Sequence, residues 1–210
     1  GSQVFSLILE IFGLIVIIAL VWAAYRRYVS KPERLEPSLD ASIILVVVFL
    51  LMITLFVVDG LEVAGDGGGA AIWLPIGTGL GKLFAGSGEI NRKLIENLYT
   101  GFWWSHMVII LGFLVYISYS KHLHIFASPI NLFFKSLRAK GALIPIDIET
   151  TQLLGAGKIE EFTWKQLLDC YACAQCGRCQ INCPAFTSGK PLSPQKIILD
   201  LKHHLLEEGK

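Results

Sequence analysis

The sequence predicts an all-α fold: a bundle of three membrane-crossing helices, followed by a small helical domain built around a cysteine-rich loop. Three observations predict it. Apolar residues make up 53% of the 210 and charged residues only 17%, where a soluble domain carries about 25% charge, and the mean hydropathy is +0.57. Three long apolar runs fall in the first half of the chain. All five cysteines lie between Cys170 and Cys183, a clustering that argues for metal binding rather than for disulfides spread over a fold. The net charge of +1 offers no field for a nucleic-acid partner.

The first apolar run covers residues 4–25 and has Glu10 as its only charge. The second, 41–58, is uncharged and is bracketed by Asp40 and Asp59. The third begins at Tyr99, and the span is taken to end at 121; up to Tyr119 its one ionisable group besides the terminal tyrosines is His106. A helix needs about 20 apolar residues to cross a hydrocarbon core of about 30 Å, so all three qualify. Three buried helices of a large soluble protein are the alternative, but these runs leave no polar face for water. The first run also lacks the basic start and small-residue cleavage site of a signal peptide, being followed by Tyr25, Arg26 and Arg27.

Loop charge sets the expected orientation. Arg26, Arg27, Lys31 and Arg34 follow the first span, and Lys121, Lys135, Arg138 and Lys140 follow the third. Lys82, Arg92 and Lys93 are spread through the longer loop between the second and third. Positive loops stay inside, which puts Gly1 and the 60–98 loop outside. The cysteine-bearing part then lies on the cytoplasmic side of the cell (inner) membrane. The expected organisation is a membrane domain over 1–125, an interfacial linker over 126–160 and a cysteine domain over 161–210. The 60–98 loop holds half of the twenty glycines, including Gly77, Gly79 and Gly81. No strand precedes this GxGxG, so it reads as a tight cap on the membrane surface and not as a phosphate loop. Ile90, Leu94, Ile95 and Leu98 follow at helical spacing and predict an interfacial helix.

His106 sits near the outer end of the third span, and His122 and His124 at its inner end beside Lys121. In an unbroken helix, His106 and His124 would share one face and lie about 27 Å apart along the axis. His122 would point nearly the opposite way. Two such histidines, one per leaflet, suit axial ligation of two haems b, and an ionisable residue within a span is by default a functional candidate. An interhelical hydrogen bond is the plain alternative for His106, and a headgroup contact for His122 or His124. The first two spans contain no histidine. A second axial ligand therefore comes from helices outside this chain or from another subunit, or there is no haem.

Cys173, Cys176, Cys179 and Cys183, with Pro184 after them, form C-x2-C-x2-C-x3-C-P. Closely spaced thiolates on a tight loop suit a [4Fe–4S] cluster. Cys173, Cys176 and Cys179 are expected to hold one cluster, and Cys183 either the same cluster or a second. Zinc is the rival; structural zinc sites usually pair two separated knuckles. Cys170 reads as a buried free thiol beside the site. Ser193-Pro194 reads as a helix start with Ile197, Ile198, Leu201 and Leu205 on one face, and His203 and His204 read as surface residues.

Several stretches together carry a resemblance: LDCYACAQCGRCQINCPAFTSGKPLSP, the FTWKQ before it, WWSHM in the third span, YSKHLHIF and PIN after it, and YRRYV after the first span. They resemble the membrane iron–sulfur oxidoreductases related to heterodisulfide reductase, which carry a cytochrome b domain similar to the gamma subunit of respiratory nitrate reductase. Among them the electron-transfer-flavoprotein:menaquinone reductases are the most similar group. The resemblance implies a ferredoxin-like helical [4Fe–4S] domain, and further histidine-bearing helices and cysteine motifs beyond the two ends of this chain, which would then be a fragment or one subunit. It also implies electron transfer between a soluble electron-transfer flavoprotein (or another redox subunit), the cluster, haem b and menaquinone within membrane lipid. Arg27, Lys121 and His122 are then candidates to contact haem propionates or quinone. Quinol oxidation feeding a disulfide or sulfur-compound reductase is the reverse alternative. A non-enzymatic anchor or redox sensor is the other.

Overall fold

The computed structural model describes residues 2–32, 38–65, 73–85, 92–139, 142 and 155–208. Every regular element among them is helical, as the composition predicts. Three helices are long and apolar enough to cross a membrane. Arg34, Ile90 and Lys140, invoked above for charge and periodicity, lie outside the described residues. The chain divides into two compact units, 1–116 and 117–210.

In the first unit, α1 (Ser2–Tyr25) runs into a π-helical turn, Arg26–Ser30. Lys31, in the left-handed conformation, ends it by donating its N–H to the Arg26 carbonyl at 3.0 Å. The second span, α2 (Leu39–Gly65), continues two turns past the Asp59 that bounds the apolar run. α3 (Pro75–Ala85) follows, then α4 (Arg92–Tyr119). The segment expected as a separate interfacial helix is the start of α4, with Leu94, Ile95 and Leu98 in its first turns. At about 1.5 Å per residue the 28 residues of α4 exceed the hydrocarbon thickness, so one helix supplies both segments.

The three long helices run antiparallel in sequence. A Cβ on Gly13 of α1 would lie 2.9 Å from the Phe56 ring of α2, and further along Tyr28 donates to the Ser42 hydroxyl at 2.7 Å. Between α2 and α4, Tyr116 donates to the Asp40 carboxylate at 2.5 Å, Thr54 meets His106 at 2.7 Å, and Gly65 faces Ile95. α3 packs on the end of α2 through glycines. A Cβ on Gly60 would lie 2.7 Å from Leu80 Cβ, and one on Gly81 3.0 Å from Val63 and 3.1 Å from the Gly60 carbonyl. Without side chains the backbones approach closely, the device by which small residues spaced four apart join membrane helices. The GxGxG thus lies within a helix, where Gly77 and Gly81 make its contact face.

Glu10 explains how α3 is held. Its side chain is 1% exposed, and its two carboxylate oxygens accept from the N–H groups of Ile76 (2.9 Å) and Gly77 (2.7 Å). These are among the orphan donors of the first turn of α3, where negative charge is also favoured by the helix dipole. The one charge in the first apolar run is thereby matched inside the unit.

The second unit holds the last residues of α4, a 3-10 turn Lys121–Leu123, α5 (His124–Phe133) and, after a 3-10 turn Ile159–Glu161, four further helices. These are α6 (Trp164–Tyr171), α7 (Arg178–Ile181), α8 (Pro184–Thr187) and α9 (Pro194–Glu208). α9 begins where Ser193-Pro194 predicts: the Ser193 hydroxyl accepts from the Lys196 N–H at 3.1 Å. Ile198, Leu201 and Leu205 are half-buried on it, whereas Ile197 is exposed. His203 and His204 are exposed, in keeping with surface residues.

Candidate functional site

The cysteine loop is framed by α6 and α9. A capping box starts α6: the Thr163 hydroxyl accepts from the Gln166 N–H at 3.3 Å, and the Gln166 side-chain oxygen accepts from the Thr163 N–H at 2.9 Å, which satisfies two donors at once. Cys170 lies on α6, 1% exposed, with its thiol donating to the Gln166 carbonyl at 3.5 Å. Burial pushes this thiol above its ordinary range, helped by the nearby Asp169 and Cys173. A thiol so placed stays protonated and behaves as a small apolar side chain.

After α6 the backbone turns twice through the left-handed region, at Gln175 (φ 54°) and Gly177 (φ 70°). That conformation is natural for Gly177 and uncommon for Gln175. The result is an irregular loop that carries Cys173 and Cys176 into the short α7, which holds Cys179. Cys183 stands at the N-terminal boundary of α8, with Pro184 as the first helical residue. Cys173 and Cys183 are half-buried, Cys176 and Cys179 exposed, and all are free thiols. No histidine, aspartate or glutamate interrupts the segment from Cys170 to Cys183. Among the described residues no three histidine, cysteine, aspartate or glutamate side chains, those of the loop included, gather closely enough to hold a single metal ion. What fits an iron–sulfur cluster is the donor set, four thiols on one tight loop.

The loop is braced on both sides. On one, the Ser193 hydroxyl donates to the Gln180 side-chain oxygen at 2.6 Å, and Lys202 lies 5.2 Å from the Tyr171 ring centre. On the other, α5 packs along α6. Ser128 donates to the Ala172 carbonyl at 3.3 Å, Asn131 donates to Asp169 at 2.8 Å, and Phe134 meets Trp164 edge-to-face at 5.2 Å. Ala172 directly precedes Cys173. One turn before Ser128 stands His124, the first residue of α5.

The histidines are arranged differently from the expectation. Helix α4 does not run unbroken from His106 to His124. It stops at Tyr119, and Ser120 takes an extended backbone (φ −95°, ψ 170°) while its hydroxyl accepts from the His122 N–H at 3.1 Å. The register argument that put His106 and His124 on one face of one helix therefore does not apply. Serine offers the chain a local hydrogen bond that competes with the helix. His124 Nδ1 lies 2.6 Å from the Lys121 carbonyl, and the rings of His122 and His124 meet edge-to-face at 5.8 Å. His106, in the other unit, contacts Thr54. Arg27, also in the first unit, donates to the Ser38 hydroxyl at 3.5 Å. Lys121 and His122 are half-buried in the 3-10 turn. Sequence reasoning missed Thr54 and Asp40. Thr54 carried a signal, as one of two hydroxyl residues in the second apolar run.

Comparison with known proteins gives the chemistry a context. The chain is 41% identical over 207 residues (98% of the chain) to "Probable iron-sulfur-binding oxidoreductase FadF" of Bacillus subtilis (strain 168). It is 34% identical over 212 residues (96% of the chain) to "EtfAB:quinone oxidoreductase" of Syntrophomonas wolfei subsp. wolfei. Over 48 residues (23% of the chain, 7% of that protein) it is 54% identical to "Probable membrane-anchored ferredoxin" of Chromohalobacter salexigens. No protein-family model and no solved structure matches. The chain spans 29% of the length of each of the first two relatives. Along nearly its whole length, this chain with three membrane-length helices and a four-thiol loop is similar to proteins named as oxidoreductases, one of them as iron–sulfur-binding.

Proposed function

We propose that this chain is the membrane-embedded electron-transfer part of an oxidoreductase that links a soluble electron-transfer flavoprotein to menaquinone. Cys173, Cys176, Cys179 and Cys183 would hold [4Fe–4S], with Cys183 serving either the same cluster or a second. His106 and His124 would each hold haem b through one imidazole nitrogen. When bound, these groups supply one-electron transfer. The chain's own residues do the rest. The Ser128 and Asn131 bonds hold α5, which opens with His124, against α6, which leads into the cysteine loop. Half-burial of Cys173 and Cys183 limits water at the inner side of the loop, while exposed Cys176 and Cys179 leave one edge open to a donor protein. Arg27, Lys121 and His122 are candidate contacts for propionates or quinone, and the basic residues after the first and third spans favour a cytoplasmic cysteine domain.

The single observation that carries this reading is the docking of α5 on α6. A helix that opens with a histidine is hydrogen-bonded to the residue that precedes the first cluster cysteine. The test is a stepwise reduction of the full-length native protein, followed by optical and EPR spectroscopy, and then addition of a menaquinone analogue. Cluster and haem b signals that reoxidise on adding quinone support the reading. A cluster signal with no haem, or none that answers to quinone, makes the chain an anchor or sensor.

A further inference from the structure

We infer that Thr54 is the positioning residue for His106: its hydroxyl oxygen accepts the Nδ1 proton of the imidazole, leaving Nε2 as the unprotonated nitrogen offered to iron. The inference rests on the haem reading above and adds the residue that enforces it.

The argument is a count of protons. A threonine hydroxyl has one hydrogen to donate and two lone pairs. Thr54 is buried in α2, and its oxygen lies 2.9 Å from the Leu50 carbonyl, 3.1 Å from the Leu51 carbonyl and 2.7 Å from His106 Nδ1. The two carbonyls can only accept. With the hydroxyl proton given to the backbone, the oxygen accepts from Nδ1–H and both groups are satisfied. In the opposite arrangement the hydroxyl donates to Nδ1, the backbone bond is lost, and Nε2–H needs an acceptor of its own. A lost bond in an apolar span has no water to replace it. The first arrangement therefore prevails, and it also fixes the ring about its bonds to α4.

The same chemistry recurs at the other candidate ligand. His124 Nδ1 lies 2.6 Å from the Lys121 carbonyl, which can only accept, so His124 also carries its proton on Nδ1. A ligand histidine that gives its second N–H to an oxygen acceptor is held in one tautomer and made a better donor to metal. The two sites differ in one testable way. The acceptor for His124 is main chain, whereas the acceptor for His106 is a side chain that can be removed.

The experiment compares wild type, His106→Ala, His124→Ala, Thr54→Val, Thr54→Ala and Thr54→Ser in the full-length protein purified from membranes. The cluster EPR signal reports folding. Haem content, the low-spin haem EPR line and the rate of haem capture by apomyoglobin are the readouts. His106→Ala should remove one haem component. Thr54→Val, nearly isosteric but without an acceptor, should weaken retention of that same component by about tenfold and shift its EPR line. The component lost in His124→Ala should not change. Thr54→Ala should act like Thr54→Val, and Thr54→Ser should restore both retention and line position. Unchanged retention and line in Thr54→Val and Thr54→Ala, with the component still lost in His106→Ala, would overturn the role of Thr54 and leave the haem reading standing. A wild type without haem b, or a His106→Ala protein that keeps every component, would overturn both.

Discussion

At the scale of single residues, the buried Glu10 and Thr54 are matched by partners far away in sequence, and that makes their removal costly. Glu10 divides its two oxygens between two helix N–H groups. A glutamine there keeps one acceptor and turns an NH2 towards the other donor. Glu10→Gln should lower stability by about 1–3 kcal/mol, read as a lower midpoint of thermal unfolding in detergent. The cysteines separate in the same way. Cys176→Ser removes a thiolate from the exposed edge of the loop and should abolish the normal cluster EPR signal. Cys170→Ala removes only a buried thiol bonded to its own helix and should leave cluster content at the wild-type level. Loss of the cluster in Cys170→Ala would make Cys170 a ligand.

At the scale of elements, the glycines of α2 and α3 divide into those that face a neighbour and one, Gly79, that does not. A Cβ on Gly60 would sit 2.7 Å from Leu80 and 2.9 Å from the Phe84 ring, whereas one on Gly79 would meet nothing within 4 Å. Gly60→Ala should therefore push α3 off α2 and destabilise the first unit by about 1–3 kcal/mol. Gly79→Ala, on the open side of the same helix pair, should be neutral or stabilise by up to about 1 kcal/mol through reduced unfolded-state entropy. Thermal unfolding of the pair in one detergent checks both signs. The break after α4 is an element-scale event of another kind. Ser120 stops one helix and starts the next turn, which places His122 in a 3-10 turn and His124 at the start of α5, the helix that packs on α6.

At the scale of the whole molecule, the long helices contact one another sparingly and leave wide apolar surfaces: Phe12, Ile18, Trp22, Val108, Leu111 and Val115 are all largely exposed. Surfaces of this size are expected to face lipid or other helices. The full-length protein should remain in the membrane pellet after an alkaline carbonate wash and leave it only with detergent. Release by carbonate, followed by immunoblotting of the supernatant, would contradict the three spans.

Much of this was legible in the chain itself. The spans, the cysteine loop and the start of α9 follow from local composition, spacing and capping residues, because lipid solvation, thiolate chemistry and helix ends act over a few neighbouring positions. The boundaries were less legible: α2 runs past Asp59 and α4 begins at Arg92, since polar residues can extend a helix beyond its apolar run. What only the tertiary structure decided are the pairings. Thr54 with His106, Glu10 with the start of α3, and Ser128 with Ala172 join residues 52, 67 and 44 positions apart. No periodicity records such contacts. They arise because a buried donor or acceptor must find a partner wherever the packed helices bring one.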